Sequence, residues 1–116
     1  MKVLYHVDSE SKWHMVLENV KNMLKYGKEN NTTFEIEIVA NGIAVVGLIQ
    51  EVAEKSKWYL EMDELYKENV VFAVCNNALK KFNPGQQPLC AFATVVPAGV
   101  VEIAKKHEEG YAYIKS

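Results

Sequence analysis

Residues Val70–Leu79 read VVFAVCNNAL. The run Val70–Val74 is apolar at every position, so both faces of the segment are apolar. That pattern suits a central strand of a parallel sheet, covered by helices above and below. Asn76 and Asn77 follow, and asparagine is a good helix-capping residue. A short helix over about Asn76–Phe82 is therefore predicted. Cys75 falls on the joint between the strand and the helix.

Upstream, Phe34, Ile36 and Ile38 alternate with Glu35 and Glu37, the period of a strand with one wetter face. The Asn41–Gly42 pair suits a hairpin turn. However, Ile43–Ile49 is apolar nearly all round and offers no alternating partner strand, so a strand-to-helix turn fits better. One or two helices then run to about Lys67, with a break near Ser56–Lys57. Val52, Leu60 and Leu65 are candidate core contacts. At the start of the chain, Lys2–Val7 (KVLYHV) reads as a buried strand. Asp8, Ser9 and Ser11 offer caps for a helix whose apolar face is Trp13, Val16, Leu17, Val20 and Leu24, closed by Gly27.

Downstream, Asn83–Pro84–Gly85 breaks the short helix, and a loop continues to Pro88. Phe92–Val96 is a further strand, and Pro97 suits the first turn of a helix, where its missing N–H costs nothing. Val100, Ile103, Ala104 and His107 form that helix's expected buried stripe. Gly110 stops it, and YAYIK makes a last strand. Strands thus alternate with helices along the whole chain. The predicted class is α/β, one domain over residues 1–116, with a mostly parallel sheet of about five strands and helices on both faces.

The totals narrow the function. A chain of 116 residues buries a real core without disulfides or metals. A net charge of −2, with no cluster of lysines beyond pairs, argues against nucleic acid as a partner. No apolar run is long enough for a membrane span, and the first residues lack the pattern of a secretory signal. The two cysteines form no CxxC pair, so neither a disulfide scaffold nor a metal knuckle is expected. His14 and His107 make no metal-ligand spacing with each other or with Cys75, so no metal is assigned. The chain reads as a soluble cytoplasmic protein with reduced thiols. It has no GxGxxG, no GxxxxGK[ST] and no GxSxG, which argues against a dinucleotide fold, a P-loop nucleotidase and a nucleophile elbow.

All strand-to-helix turns of such a sheet lie at the carboxyl ends of the strands, where open α/β sheets bind ligands. The turns place His6, Asp8 and Ser9 there, then Asn41 and Gly42, then Cys75, Asn76 and Asn77, then Pro97, Ala98 and Gly99. A thiol at a helix N-terminus ionises more readily, and the thiolate is the nucleophile. Cys75 is placed for reactivity, though a free cysteine is also a common small hydrophobe. His6 is either a proton carrier near the thiol or a packed histidine. Asp8 and Ser9 read first as caps. Cys90 reads as an inert core thiol.

Four of these stretches together resemble the DsrE/DsrF-like family: HVDSESKWHMVLENVKNML, IEIVANG, VVFAVCNNAL and VVPAGVVEIAKKHEEGYAYIKS. The similarity is to its short single-domain branch. The resemblance implies a three-layer α/β/α (DsrEFH-like) sandwich and assembly into trimers or hexamers. It also implies a role in sulfur metabolism, where one cysteine carries a persulfide between a donor and an acceptor protein. Cys75 matches the position of that cysteine. Such a sulfurtransferase-like carrier needs no cofactor. Asn76 and Asn77 would add donors to the sulfur anion, beside Asn41, Gly42, Pro97, Ala98 and Gly99. A second reading stays open, in which the chain is a non-catalytic oligomer binding a small anion or a partner protein. In that reading Trp58, Tyr59, Tyr66, Tyr111 and Tyr113 offer aromatic interface, with ordinary core packing the alternative for each of them.

Overall fold

The computed structural model describes residues 1–116. Five strands form one sheet: β1 (Lys2–Val7), β2 (Glu35–Ala40), β3 (Val71–Cys75), β4 (Ala93–Val96) and β5 (Ala112–Lys115). Their order is β4-β3-β2-β1-β5, and every neighbouring pair is parallel. Five α-helices connect them: α1 (Trp13–Glu29), α2 (Gln50–Lys55), α3 (Tyr59–Lys67), α4 (Asn76–Phe82) and α5 (Gly99–Glu108). The α/β reading and the sheet class hold. No helix is long and apolar enough to cross a membrane.

The strand order decides which face each helix covers. From β1 to β4 the chain steps across the sheet in one direction, so right-handed crossovers put α1 to α4 on one face. The return from β4 to β5 runs the other way and puts α5 on the opposite face. Strand alternation agrees. Val3, Tyr5, Ile36, Ile38, Phe72 and Val74 join the large core with the α1 residues Trp13, Val16, Leu17 and Val20. Leu4, Val39, Ala73 and Val96 form a small second core with Ile103 and Tyr111. Full burial of one such side chain stabilises by about 1.5–3 kcal/mol, so the larger face carries most of the apolar stabilisation.

Several local expectations change. A 3-10 turn, Glu10–Lys12, separates Asp8 and Ser9 from α1, and none of Asp8, Ser9 or Ser11 caps it through its side chain. The Ser9 and Ser11 hydroxyls bond each other instead, at 3.0 Å. Helix α1 continues through Gly27 to Glu29, because Gly27 is packed under the Thr32 carbonyl and the Phe34 ring and leaves no room for a side chain. Glu37 does not lie on a wet face: α5 covers it, and it is 3% exposed. After Gly42, with φ +55°, the chain makes a 3-10 segment to Leu48 before α2 begins.

Leu60 is not core but 72% exposed, whereas Leu65 is buried. Nor is the α5 stripe as expected. Val100 is 65% exposed, and Ala104 and His107 are exposed too. The helix turns Gly99, Glu102, Ile103 and Lys106 toward the sheet, and with no second helix beside it the rest of its surface stays open. Trp58 is buried rather than an interface aromatic. Its indole N–H donates to the Gly47 carbonyl at 3.0 Å, while that of Trp13 donates to the Ala44 carbonyl at 2.9 Å. The two indoles thereby pin the 3-10 segment to the helical layer.

Candidate functional site

The connections after β3 and β4 depart to opposite faces, α4 to one and α5 to the other. The carboxyl ends of these neighbouring strands therefore flank the topological switch point, where an open α/β sheet leaves a crevice. Cys75 ends β3 and Val96 ends β4, paired in register. Cys75 is thus the last residue of its strand, beside the switch point, and serves as the N-cap of α4.

Three turns meet at this point. A side chain on Gly99, at the start of α5, would place its Cβ 3.4 Å from the Cys75 Cβ and 3.0 Å from the Asn41 Cβ. The missing side chain lets α5 approach both strand ends. Asn41 follows β2, and its backbone N–H is held by the Val7 carbonyl at 3.1 Å. Its carboxamide oxygen lies 2.8 Å from His6 Nε2, and His6 Nδ1 lies 2.6 Å from the Tyr113 hydroxyl. His6 is held in turn through its backbone carbonyl, which accepts from the Ser116 N–H at 2.9 Å. Both ring nitrogens of His6 are therefore engaged, with Asn41 standing between the imidazole and the Gly99 contact.

The other residues expected on this edge divide. Asp8 pairs with Lys115 at 2.9 Å, and that hydrogen bond holds the Asp8 carboxyl below its usual range. Gly42 packs under the Asp8 carbonyl, 3.3 Å from where a Cβ would sit, so the first and second turns touch. Pro97 is exposed, and Ala98 is the N-cap of α5. Asn77 is exposed, while Asn76 lines a separate groove with Leu79, Asn83 and Gln87. The Asn83 carboxamide closes that loop, donating to the Gln87 carbonyl and accepting from its N–H.

The thiol is more enclosed than the open turn expected. Cys75 is 6% exposed and packs at the rim of the large core. Cys90 is buried, and burial pushes its thiol up to about 11, so it stays protonated at neutral pH. Tyr113 and Lys115 escaped attention as edge residues. Their place depends on β5 lying beside β1, where His6 pairs with Lys115, and the strand order cannot be read from periodicity.

The sequence matches the model of the DsrE/DsrF-like family over residues 1–116. The chain belongs to the DsrE/DsrF-like family. Among solved structures it is similar to a protein of unknown function from Methanobacterium thermoautotrophicum, with a TM-score of 0.84 and 27% identity. That likeness covers 99% of this chain and 98% of the other. No curated protein matches. The DsrE/DsrF-like fold and the order of its turns thus agree with the four stretches that suggested them, and the family is associated with sulfur relay.

Proposed function

We propose that the protein is a sulfur carrier, with Cys75 taking a sulfane sulfur from a donor persulfide and passing it to an acceptor thiol. The carrying observation is the place of Cys75: the carboxyl end of β3, at the switch point, against the side-chain-free Gly99. In loading, the Cys75 thiolate attacks the terminal sulfur of the donor's persulfide. A new S–S bond forms, the donor's own S–S bond breaks, and the donor leaves as a thiolate. Unloading repeats the exchange with the acceptor thiolate as attacker, so no external oxidant or reductant is consumed. The chemistry calls for no cofactor, and a cytoplasmic setting that keeps thiols reduced suits it.

The donor and acceptor are proteins under this reading, and the chain works as a homo-oligomer, a trimer or hexamer. Exposed apolar side chains on the thinly covered side, Val71, Val100 and Val101, support assembly. Gly99 lies between Cys75 and Asn41, with His6, Asp8, Gly42, Pro97 and Ala98 further along the same edge and Asn76 and Asn77 on the helix that follows the cysteine.

One observation favours a second reading. At 6% exposure Cys75 also suits a wall residue in a non-catalytic oligomer that binds a small anion or a partner. A single experiment separates the two. Wild type and Cys75→Ser are incubated with cysteine persulfide, and intact mass is followed before and after adding an acceptor thiol. The carrier gains one sulfur atom and returns it, and Cys75→Ser gains none. A wild type that gains no sulfur contradicts the carrier and leaves the binding reading.

A further inference from the structure

An imidazole with both nitrogens engaged constrains its partners. The Asn41 Oδ1 accepts only, so His6 Nε2 must carry the proton and donate to it. In neutral His6 the remaining nitrogen, Nδ1, is then an acceptor, and the Tyr113 hydroxyl must donate to it. The direction of the chain is thereby set from the outer strand inward: Tyr113 to His6 to Asn41.

The far end of the chain decides what it does. With Oδ1 held by His6, the Asn41 Nδ2 points away from the ring. It lies 3.6 Å from the position a Gly99 Cβ would take, and the Cys75 Cβ lies 3.4 Å from the same point. The amide nitrogen and the cysteine therefore border one small space that a side chain at residue 99 would fill. Asp8 and Lys115 pair with each other on this edge at 2.9 Å, and the Asp8 carboxylate is also close enough to feel the charge of a protonated His6.

We infer that Tyr113, His6 and Asn41 are positioning residues: they hold the Asn41 carboxamide with its N–H groups toward Cys75, as donors to the sulfur anion that Cys75 carries. The inference deepens the carrier reading and rests on it for the identity of the anion. The inverted carboxamide would offer a carbonyl oxygen to the same sulfur and repel it. A hydrogen bond to the charged form of a group favours that form, so the orientation of one amide sets how readily the sulfur ionises. His6, on this view, acts through Asn41 and not by carrying a proton to the thiol.

The test reads the chain at both ends. Nitrogen-15 shifts of His6 report its tautomer, and the carbon-13 shift of the Cys75 Cβ follows its titration without any reagent reaching the buried sulfur. Wild type, Tyr113→Phe and Asn41→Asp are compared, with sulfur loading measured on each. The relay predicts the Nε2–H tautomer in wild type and appearance of the Nδ1–H tautomer in Tyr113→Phe. The Cys75 midpoint rises in both variants, by about one pH unit in Asn41→Asp, where a carboxylate replaces the donor. Loading at neutral pH slows several-fold in both. An Nδ1–H tautomer in wild type, or a Cys75 midpoint unmoved in Tyr113→Phe, overturns the relay. Tyr113 is half exposed, so Tyr113→Phe decides the matter even where Asn41→Asp unfolds. A wild type that takes up no sulfur defeats the carrier reading alone, because tautomer and titration still judge the relay.

Discussion

Replacing Glu37 with Gln should make the protein more stable, and increasingly so as pH rises. Glu37 lies on β2 beneath α5, with Oε1 3.7 Å from Lys106 Nζ and Oε2 lacking any hydrogen-bond partner. Burial, then the neighbouring Glu102 carboxylate, pushes the Glu37 carboxyl up from 4.5 to about 8, against the opposing pull of Lys106. The folded protein therefore holds a proton that the unfolded chain releases above about 4.5. In this window the folded state binds more protons than the unfolded one, so stability falls as pH rises and levels off above about 8. One proton is worth about 1.4 kcal/mol per pH unit, which sets a ceiling of about 5 kcal/mol over the window. Sharing of the proton with Glu102 and relaxation of α5 reduce this to the order of 2–3 kcal/mol.

Glutamine is close to an isostere of the protonated acid, and its N–H can reach Glu102 as the acid's O–H would. The assay is urea unfolding of wild type and Glu37→Gln at intervals from pH 4 to pH 9. The expected difference is small near pH 4, grows in favour of the variant to about pH 8, and is then flat. A difference independent of pH, or a variant less stable than wild type at pH 8, would refute the reasoning.

Three further outcomes follow from packing. Gly47→Ala drives a methyl group into the Trp13 indole and should cost about 3 kcal/mol, seen as a melting midpoint lowered by roughly ten degrees or more. Gly99→Ala sets a Cβ against Asn41 and Cys75, so sulfur loading should slow several-fold while unfolding by urea shifts by only about 1 kcal/mol. Cys90→Ala removes a buried, protonated thiol and should leave sulfur loading unchanged, with a stability loss of about 1 kcal/mol in the same unfolding assay.

Much of the fold is legible because period and punctuation agree along the chain. The apolar run before Cys75 reads as a strand and forms one over Val71–Cys75, covered except at Val71, and Asn83–Pro84–Gly85 and Gly110 mark real ends. What escaped reading depends on tertiary neighbours. Glu37 alternates like a surface residue, yet it is buried because the lone crossover of opposite sense places α5 over it. The same geometry turns the expected stripe of α5 outward: a single helix on a sheet needs only one narrow line of contact, and Gly99, Ile103 and Lys106 supply it. Trp58 looks like an interface aromatic until its N–H is seen to be consumed by the Gly47 carbonyl.

The site divides in the same way. The place of Cys75 at a strand end follows from its own decapeptide. The meeting of Asn41, Cys75 and Gly99 follows from three turns sharing one edge, which the alternation of elements already implies. The link from His6 to Tyr113 needs the knowledge that the last strand returns to lie beside the first, and no local pattern carries that.

The most direct measurement is peptide mapping of the wild-type protein after exposure to a persulfide donor, asking which cysteine holds the extra sulfur. The account predicts a persulfide on the peptide containing Cys75, lost on addition of an acceptor thiol, with the Cys90 peptide unmodified. Sulfur found only on Cys90, or on neither cysteine, would contradict it.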